Sequence, residues 1–112
     1  MIDKYAFGTI TIDGTTYRND VLITPEGVDD RWWRKEGHVL RVEDLEKAIH
    51  VHPDTLVVGT GYFGRMAVDP LVLDALKKEG IEVITCRTMR ACDEFNRLRG
   101  SQKVVAALHL TC

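Results

Sequence analysis

The sequence predicts an α/β fold, with helices on at least one face of a sheet and other structure on the other, and three observations carry that expectation. Thr55–Val58, Ile81–Cys86 and Val104–Leu110 are apolar, strand-like runs separated by stretches of helical periodicity. Val104–Leu110 is apolar at consecutive positions, which a strand tolerates only when both faces are covered. Asp13-Gly14, between Ile10/Ile12 and Thr15–Arg18, is a two-residue hairpin turn, so the chain opens on β structure.

The elements follow in order. The first 24 residues read as a hairpin about Asp13-Gly14, whose second limb runs through Thr15–Arg18 into Val21–Thr24, and Pro25-Glu26-Gly27 closes it. Val28 to Gly37 reads as irregular and holds both tryptophans, with a short strand expected at His38–Arg41. Leu45, Ala48 and Ile49 have helical spacing, with Glu43, Asp44, Glu46 and Lys47 turned to water, and His52-Pro53 ends that helix. After the strand at Thr55–Val58, Asp69 is a natural N-cap and Pro70 suits the first helical position. That helix buries Val72, Ala75 and Leu76 and stops at Gly80. The third helix, expected to be capped by Thr88, buries Ala91, Cys92, Phe95 and Leu98, stops at Gly100, and hands the chain to Val104–Leu110.

Residues 1–112 read as one domain, large enough to hold a core without metal or disulfide staples. Hydrophobic residues are 45% and charged residues 29%, ordinary for a globular protein, and a net charge of −2 gives no field that favours nucleic acid or an anionic membrane. No apolar run approaches the roughly 18 residues of a membrane span, and Met1–Lys4 begins no signal-peptide pattern. Cys86, Cys92 and Cys112 are odd in number without metal-type spacing, which predicts a reducing cytoplasm.

Gly59-Thr60-Gly61-Tyr62-Phe63-Gly64 fits G-x-G-x-x-G after an apolar run, the context of a dinucleotide-binding turn. Two features oppose that reading. The helix start at Asp69-Pro70 comes too late to present its amides to a pyrophosphate. The following strand ends in Thr85-Cys86-Arg87, with no acid for the ribose, and Glu82 stands at its wrong end. No cofactor is therefore expected. The glycines read as a sharp turn off a strand end, the side of an open α/β sheet where ligands bind.

Taken as an ordered set, Tyr17 and Asp20, Trp32-Trp33-Arg34 followed by Gly37-His38, the Gly59-Thr60-Gly61 turn, and Thr88, Ala91-Cys92, Asn96, Leu98 and Val104–His109 resemble the adipogenesis-associated Mth-domain family. Its superfamily includes the mitochondrial respiratory complex I assembly factor three, and the resemblance covers nearly the whole chain. It implies a three-layer fold with a mixed central sheet whose last strand runs antiparallel to its neighbours, and no established enzymatic activity. Its relatives are tied to assembly of a respiratory complex or to differentiation of animal cells. Arg99-Gly100-Ser101-Gln102-Lys103 stands where the family has an acidic-Gly-Arg turn.

Few side chains point to chemistry. Adjacent tryptophans on a loop face different ways: one of Trp32 and Trp33 packs on the sheet, and the other either serves packing too or, with Arg34, lines a pocket or a partner surface, where Trp and Arg are enriched. His38 lies close by, without a nucleophile elbow. His50-Val51-His52 lacks a third ligand, so no metal site is expected. Cys86, between a strand end and a helix N-terminus and next to Arg87, stands where a thiol pKa can fall, but a plain structural thiol is the favoured reading there, and Cys92 on the apolar stripe is expected to be inert. Arg90 and Arg97 share a helix face with Asp93 and Glu94 interleaved, a solvated pattern without the aromatics of single-strand binders. The expectation is a binding or assembly module without turnover. Its site is drawn from Trp32, Trp33, Arg34, His38, Gly59, Thr60, Gly61, Arg87 and Thr88, and takes a protein partner or a small anion. The other reading is an anion-binding protein or enzyme using the cleft at Gly59-Thr60-Gly61.

Overall fold

The computed structural model describes all residues, Met1–Cys112. Strands β1 (Ile2–Ala6), β2 (Thr9–Ile12) and β3 (Thr15–Tyr17) form an antiparallel meander. The Asp13-Gly14 turn joins β2 to β3 as expected. Two features differ from the sequence reading. β1 is an additional strand, and β3 stops at Tyr17 so that β4 (Val21–Thr24) leaves for a second sheet. There β4 pairs with β5 (Gly27–Asp29), which begins on the closing Gly27 and runs into the stretch read as irregular.

Next come β6 (Val39–Leu40), a 3-10 turn at Val42–Leu45, α1 (Glu46–His50), β7 (Thr55–Gly59), β8 (Ala67–Val68), α2 (Pro70–Lys78), β9 (Glu82–Cys86), α3 (Thr88–Leu98) and β10 (Val104–Leu108). Asp69 caps α2, its side chain accepting the Leu71 amide at 3.0 Å. α3 is different: its N-cap is Arg87, with no side-chain cap bond, and Thr88 is already helical. The expected Thr88 cap does not form because that hydroxyl has other partners.

The five-stranded sheet runs β5-β4-β10-β7-β9. β10 is antiparallel to β4 (Ala106↔Ile23) and parallel to β7 (Ala106↔Val57). This corrects the expectation that the last strand opposes both neighbours. The α3 crossover returns the chain to the end of the sheet where β9 began, and a strand entered that way runs parallel to β7 and β9.

The sheet divides two cores. On one face α3 and the meander cover it, with Ile10, Ile12 and Phe95 packed on Val57, Ala106 and Leu108. On the other, Trp32, Leu45, Val72 and Leu76 pack on Leu56 and Val105. Every residue of β10 is buried, as a central strand covered on both faces requires. No helix is long and apolar enough to cross a membrane.

Candidate functional site

Beyond Leu108 the central strand runs into His109 and Leu110, both still buried, and the polar groups of the molecule converge there. Asp20, in the link from β3 to β4, accepts the Leu110 amide on Oδ1 at 2.7 Å. Its Oδ2 lies 2.8 Å from His109 Nδ1 and 2.8 Å from Arg34 Nη1. Arg34 also donates to the Gly37 carbonyl through Nε at 3.1 Å and Nη2 at 2.9 Å, and its guanidinium lies 5.0 Å over the Trp32 ring. The Arg34 and His109 side chains are 5% and 7% exposed, so this is a buried cluster, not a surface ion pair.

Arg34 Nη2 also approaches His109 Nδ1 to 3.0 Å. Arginine only donates, and a bare Nδ1 lone pair would face the carboxylate at the same time. Nδ1 therefore carries a hydrogen toward Asp20, and Nη2 directs its own to Gly37. This leaves Nε2 of His109 buried and without a partner. The His38 ring is the nearby aromatic group, edge-on with centroids 6.3 Å apart, on an exposed residue.

Opposed effects act on the Asp20 carboxyl. Burial raises its pKa, but the hydrogen bonds from His109 and the Leu110 amide, with the Arg34 guanidinium, outweigh burial and hold it below the usual carboxylate range. Burial raises the Cys86 thiol, and Arg90 offsets this only in part, so the thiol is not activated and the structural reading of Cys86 fits. Burial likewise pushes the Cys92 thiol up to about 12.

Apart from His38, which lies outside the cavity lining, the predicted site residues fall in two places. Trp32, Trp33 and Arg34, with Arg18, Arg31 and Thr111, line a cavity of about 280 Å³ at the end of β10. Trp32 is its buried wall, Nε1 donating to the Asp44 carbonyl at 2.9 Å, and Trp33 is 75% exposed at its rim. Gly59, Thr60, Gly61, Arg87 and Thr88 form the second group, outside that lining. A Cβ on Gly59 would sit 2.7 Å from Thr88 Oγ1, and one on Gly61 would sit 2.4 Å from the Cys112 backbone. The chain's own tail lies on the glycine turn: the Tyr62 amide donates to Thr111 at 2.6 Å and the Arg65 amide to Cys112 at 2.9 Å. Thr88 is wholly buried. Its hydroxyl donates to the His109 carbonyl at 2.6 Å and accepts the Gly61 amide at 2.9 Å. Thr60 donates its hydroxyl to Cys86 O at 3.1 Å, and Arg87 is exposed.

His109 joins the two groups, its backbone tied to Gly59 and Thr88 and its ring to Asp20, which in turn pairs with Arg34. The sequence reading assigns no chemistry to Asp20 or His109. The available signal is an acid and an imidazole at opposite ends of apolar strands, where a buried polar group needs a partner.

Residues 2–109 match the family described as "Protein of unknown function (DUF498/DUF598)". Among solved structures, a conserved hypothetical protein from Pyrococcus horikoshii OT3 is 29% identical with a TM-score of 0.85, the likeness covering 100% of this chain and 99% of that one. A protein named MT938 is 27% identical with a TM-score of 0.83, covering 100% and 98%. A Bordetella pertussis protein described as a Mth938-like domain shares the fold at 20% identity, with a TM-score of 0.79 and 98% and 85% covered.

Proposed function

We propose a binding role, without turnover of its own, for this chain, which belongs to the DUF498/DUF598 family of proteins of unknown function and has the Mth938-like fold. The observation that carries the reading is the cavity lined by Trp32, Trp33, Arg18, Arg31 and Arg34. Arg34 is held by Asp20 and Gly37 and serves as a wall, whereas neither Arg18 nor Arg31 makes an ion pair. Two free guanidiniums face one unpaired acid, Asp30, so the cavity favours an anionic group. At about 280 Å³ it falls just short of the roughly 300–1,000 Å³ of drug-sized pockets, which fits one carboxylate-bearing group.

The reactive groups fit binding better than turnover. Both Asp20 oxygens and His109 Nδ1 are engaged, and burial raises the Cys86 and Cys92 thiols. Three unpaired cysteines are consistent with a reducing, cytoplasmic setting. A titration of the ¹⁵N-labelled protein with benzoate and with inorganic phosphate tests the reading. The expected result is shifts of the Trp33 indole and of the Arg31 and Gly37 amides, lost in Arg31→Glu. Shifts that gather elsewhere, or none at millimolar ligand, would overturn it.

A further inference from the structure

Phe7, Tyr62 and Phe63 are 49%, 39% and 50% exposed, yet they gather. Phe7 and Tyr62 have ring centroids 5.8 Å apart, Tyr62 and Phe63 5.1 Å, and Phe7 and Phe63 6.0 Å. Three large apolar rings left together in water mark a contact surface rather than scattered exposure. Cations edge the cluster. Arg65 lies 5.6 Å over the Phe63 ring, and the Arg87 stem flanks Gly64, 3.2 Å from where a Cβ would stand. Neither arginine makes an ion pair, although the chain as a whole is acidic at −2. The cluster therefore calls for a partner that brings both apolar surface and negative charge.

Its position ties it to the cavity. Thr111 lines the cavity, and its carbonyl accepts the Tyr62 amide, so a single residue of the tail separates the two features. We propose that the Phe7–Tyr62–Phe63 cluster and the arginine cavity are two halves of one surface. That surface receives an extended acidic segment of a protein partner, an aromatic or aliphatic side chain resting on the rings and a carboxylate entering the cavity. The proposal rests on the binding reading above and names its partner class. A nucleic acid strand fits less well. Successive bases stack on near-parallel ring faces, and here Tyr62 stands at interplanar angles of 72° and 75° to the two phenylalanines, a splayed cluster that suits a single apolar side chain.

The test titrates the ¹⁵N-labelled full chain with three short synthetic peptides: one alternating Glu with Phe, the same with Ser for Phe, and the same with Lys for Glu. The first is expected to bind, shifting the amides of Phe7, Tyr62 and Phe63 together with that of Arg31, and the other two to bind roughly tenfold more weakly or not at all. Phe63→Ser and Arg65→Glu, made separately and each verified as folded by circular dichroism, are each expected to weaken the first peptide by about tenfold. If the Glu/Ser peptide binds as well as the Glu/Phe peptide, the ring cluster is not part of the surface, while the cavity reading stands. Binding of the first peptide that neither patch variant weakens would likewise remove the ring cluster from the surface. If no peptide binds while benzoate still shifts Trp33, the protein-partner inference falls alone; if benzoate fails as well, both readings fall. Tighter binding of single-stranded DNA or of anionic lipid vesicles, or concentration-dependent dimerisation lost in Phe63→Ser, would also overturn it.

Discussion

Asp20 carries a charge that burial opposes and that two hydrogen-bond donors, with the Arg34 guanidinium, hold in place. Its folded pKa lies below the unfolded value of about 3.9. The sign follows from linkage: a carboxyl with a depressed folded pKa stabilises the fold above its unfolded value, and that stability is lost as pH falls through the folded one. Urea unfolding is therefore expected to give a constant stability above about pH 5 and a decline below about pH 4. Asp20→Asn should flatten that decline. It should also cost about 3–5 kcal/mol at neutral pH, because it leaves Arg34 buried without its counter-charge. An unchanged acid limb in Asp20→Asn would assign the decline to Asp13 and Asp29, whose pKa values are also lowered. Those two are solvated groups from which little is expected. Cys92, on the core stripe beside Ala91 and Phe95, belongs to the same scale. Cys92→Ser should lower stability by about 1–3 kcal/mol through an unpaired buried hydroxyl. Rapid labelling of Cys92 by iodoacetamide in the native protein would contradict its burial.

At the scale of elements, the strand end at Gly59 and the turn after it show what the glycines are for. The motif resembles a phosphate cradle, but the backbone that approaches it is the chain's own tail. With φ of 110° and the Cys112 carbonyl carbon 2.4 Å from any added Cβ, Gly61→Ala must displace Thr111-Cys112. Amide exchange at Tyr62 and Arg65, which donate to that tail, is expected to accelerate, and unchanged rates would show that the tail does not depend on the turn. Much of the element layout is legible in sequence. Runs of β-branched and apolar residues mark β7, β9 and β10, and Asp69-Pro70 with Gly80 brackets α2. β1 is not legible, because the pairing slips between Ile2 and Lys4 and breaks the alternation a strand is recognised by. β5 is hidden by its length of 3 residues and its opening glycine. The site is legible only in part. Trp32, Trp33 and Arg34 are contiguous, but the Asp20–His109 bond spans 89 positions, a distance that no local spacing encodes. Thr88 misleads because helix-start statistics favour a threonine cap, while tertiary partners take its hydroxyl instead.

For the molecule as a whole, β10 decides how the two cores behave. Val104, Ala106 and Leu108 belong to the core under α3, and Val105 and Ala107 to the core under α2, so alternate side chains of one strand serve both. Neither core can lose β10 and remain covered, and β10 cannot leave one core without leaving the other. The two should therefore unfold as one cooperative unit. Trp32 reports on the core under α2 and Cys92 on the core under α3. In a Trp33→Phe background, which removes the exposed indole, urea should shift Trp32 fluorescence and expose the Cys92 thiol at the same midpoint. Leu76→Ala, which opens a void in the core under α2, should cost about 2–5 kcal/mol and move both midpoints together. If Trp32 fluorescence changed at lower urea than Cys92 exposure, the core under α2 would be a separable layer. β10 would then not be the element that couples the cavity to the rest of the fold.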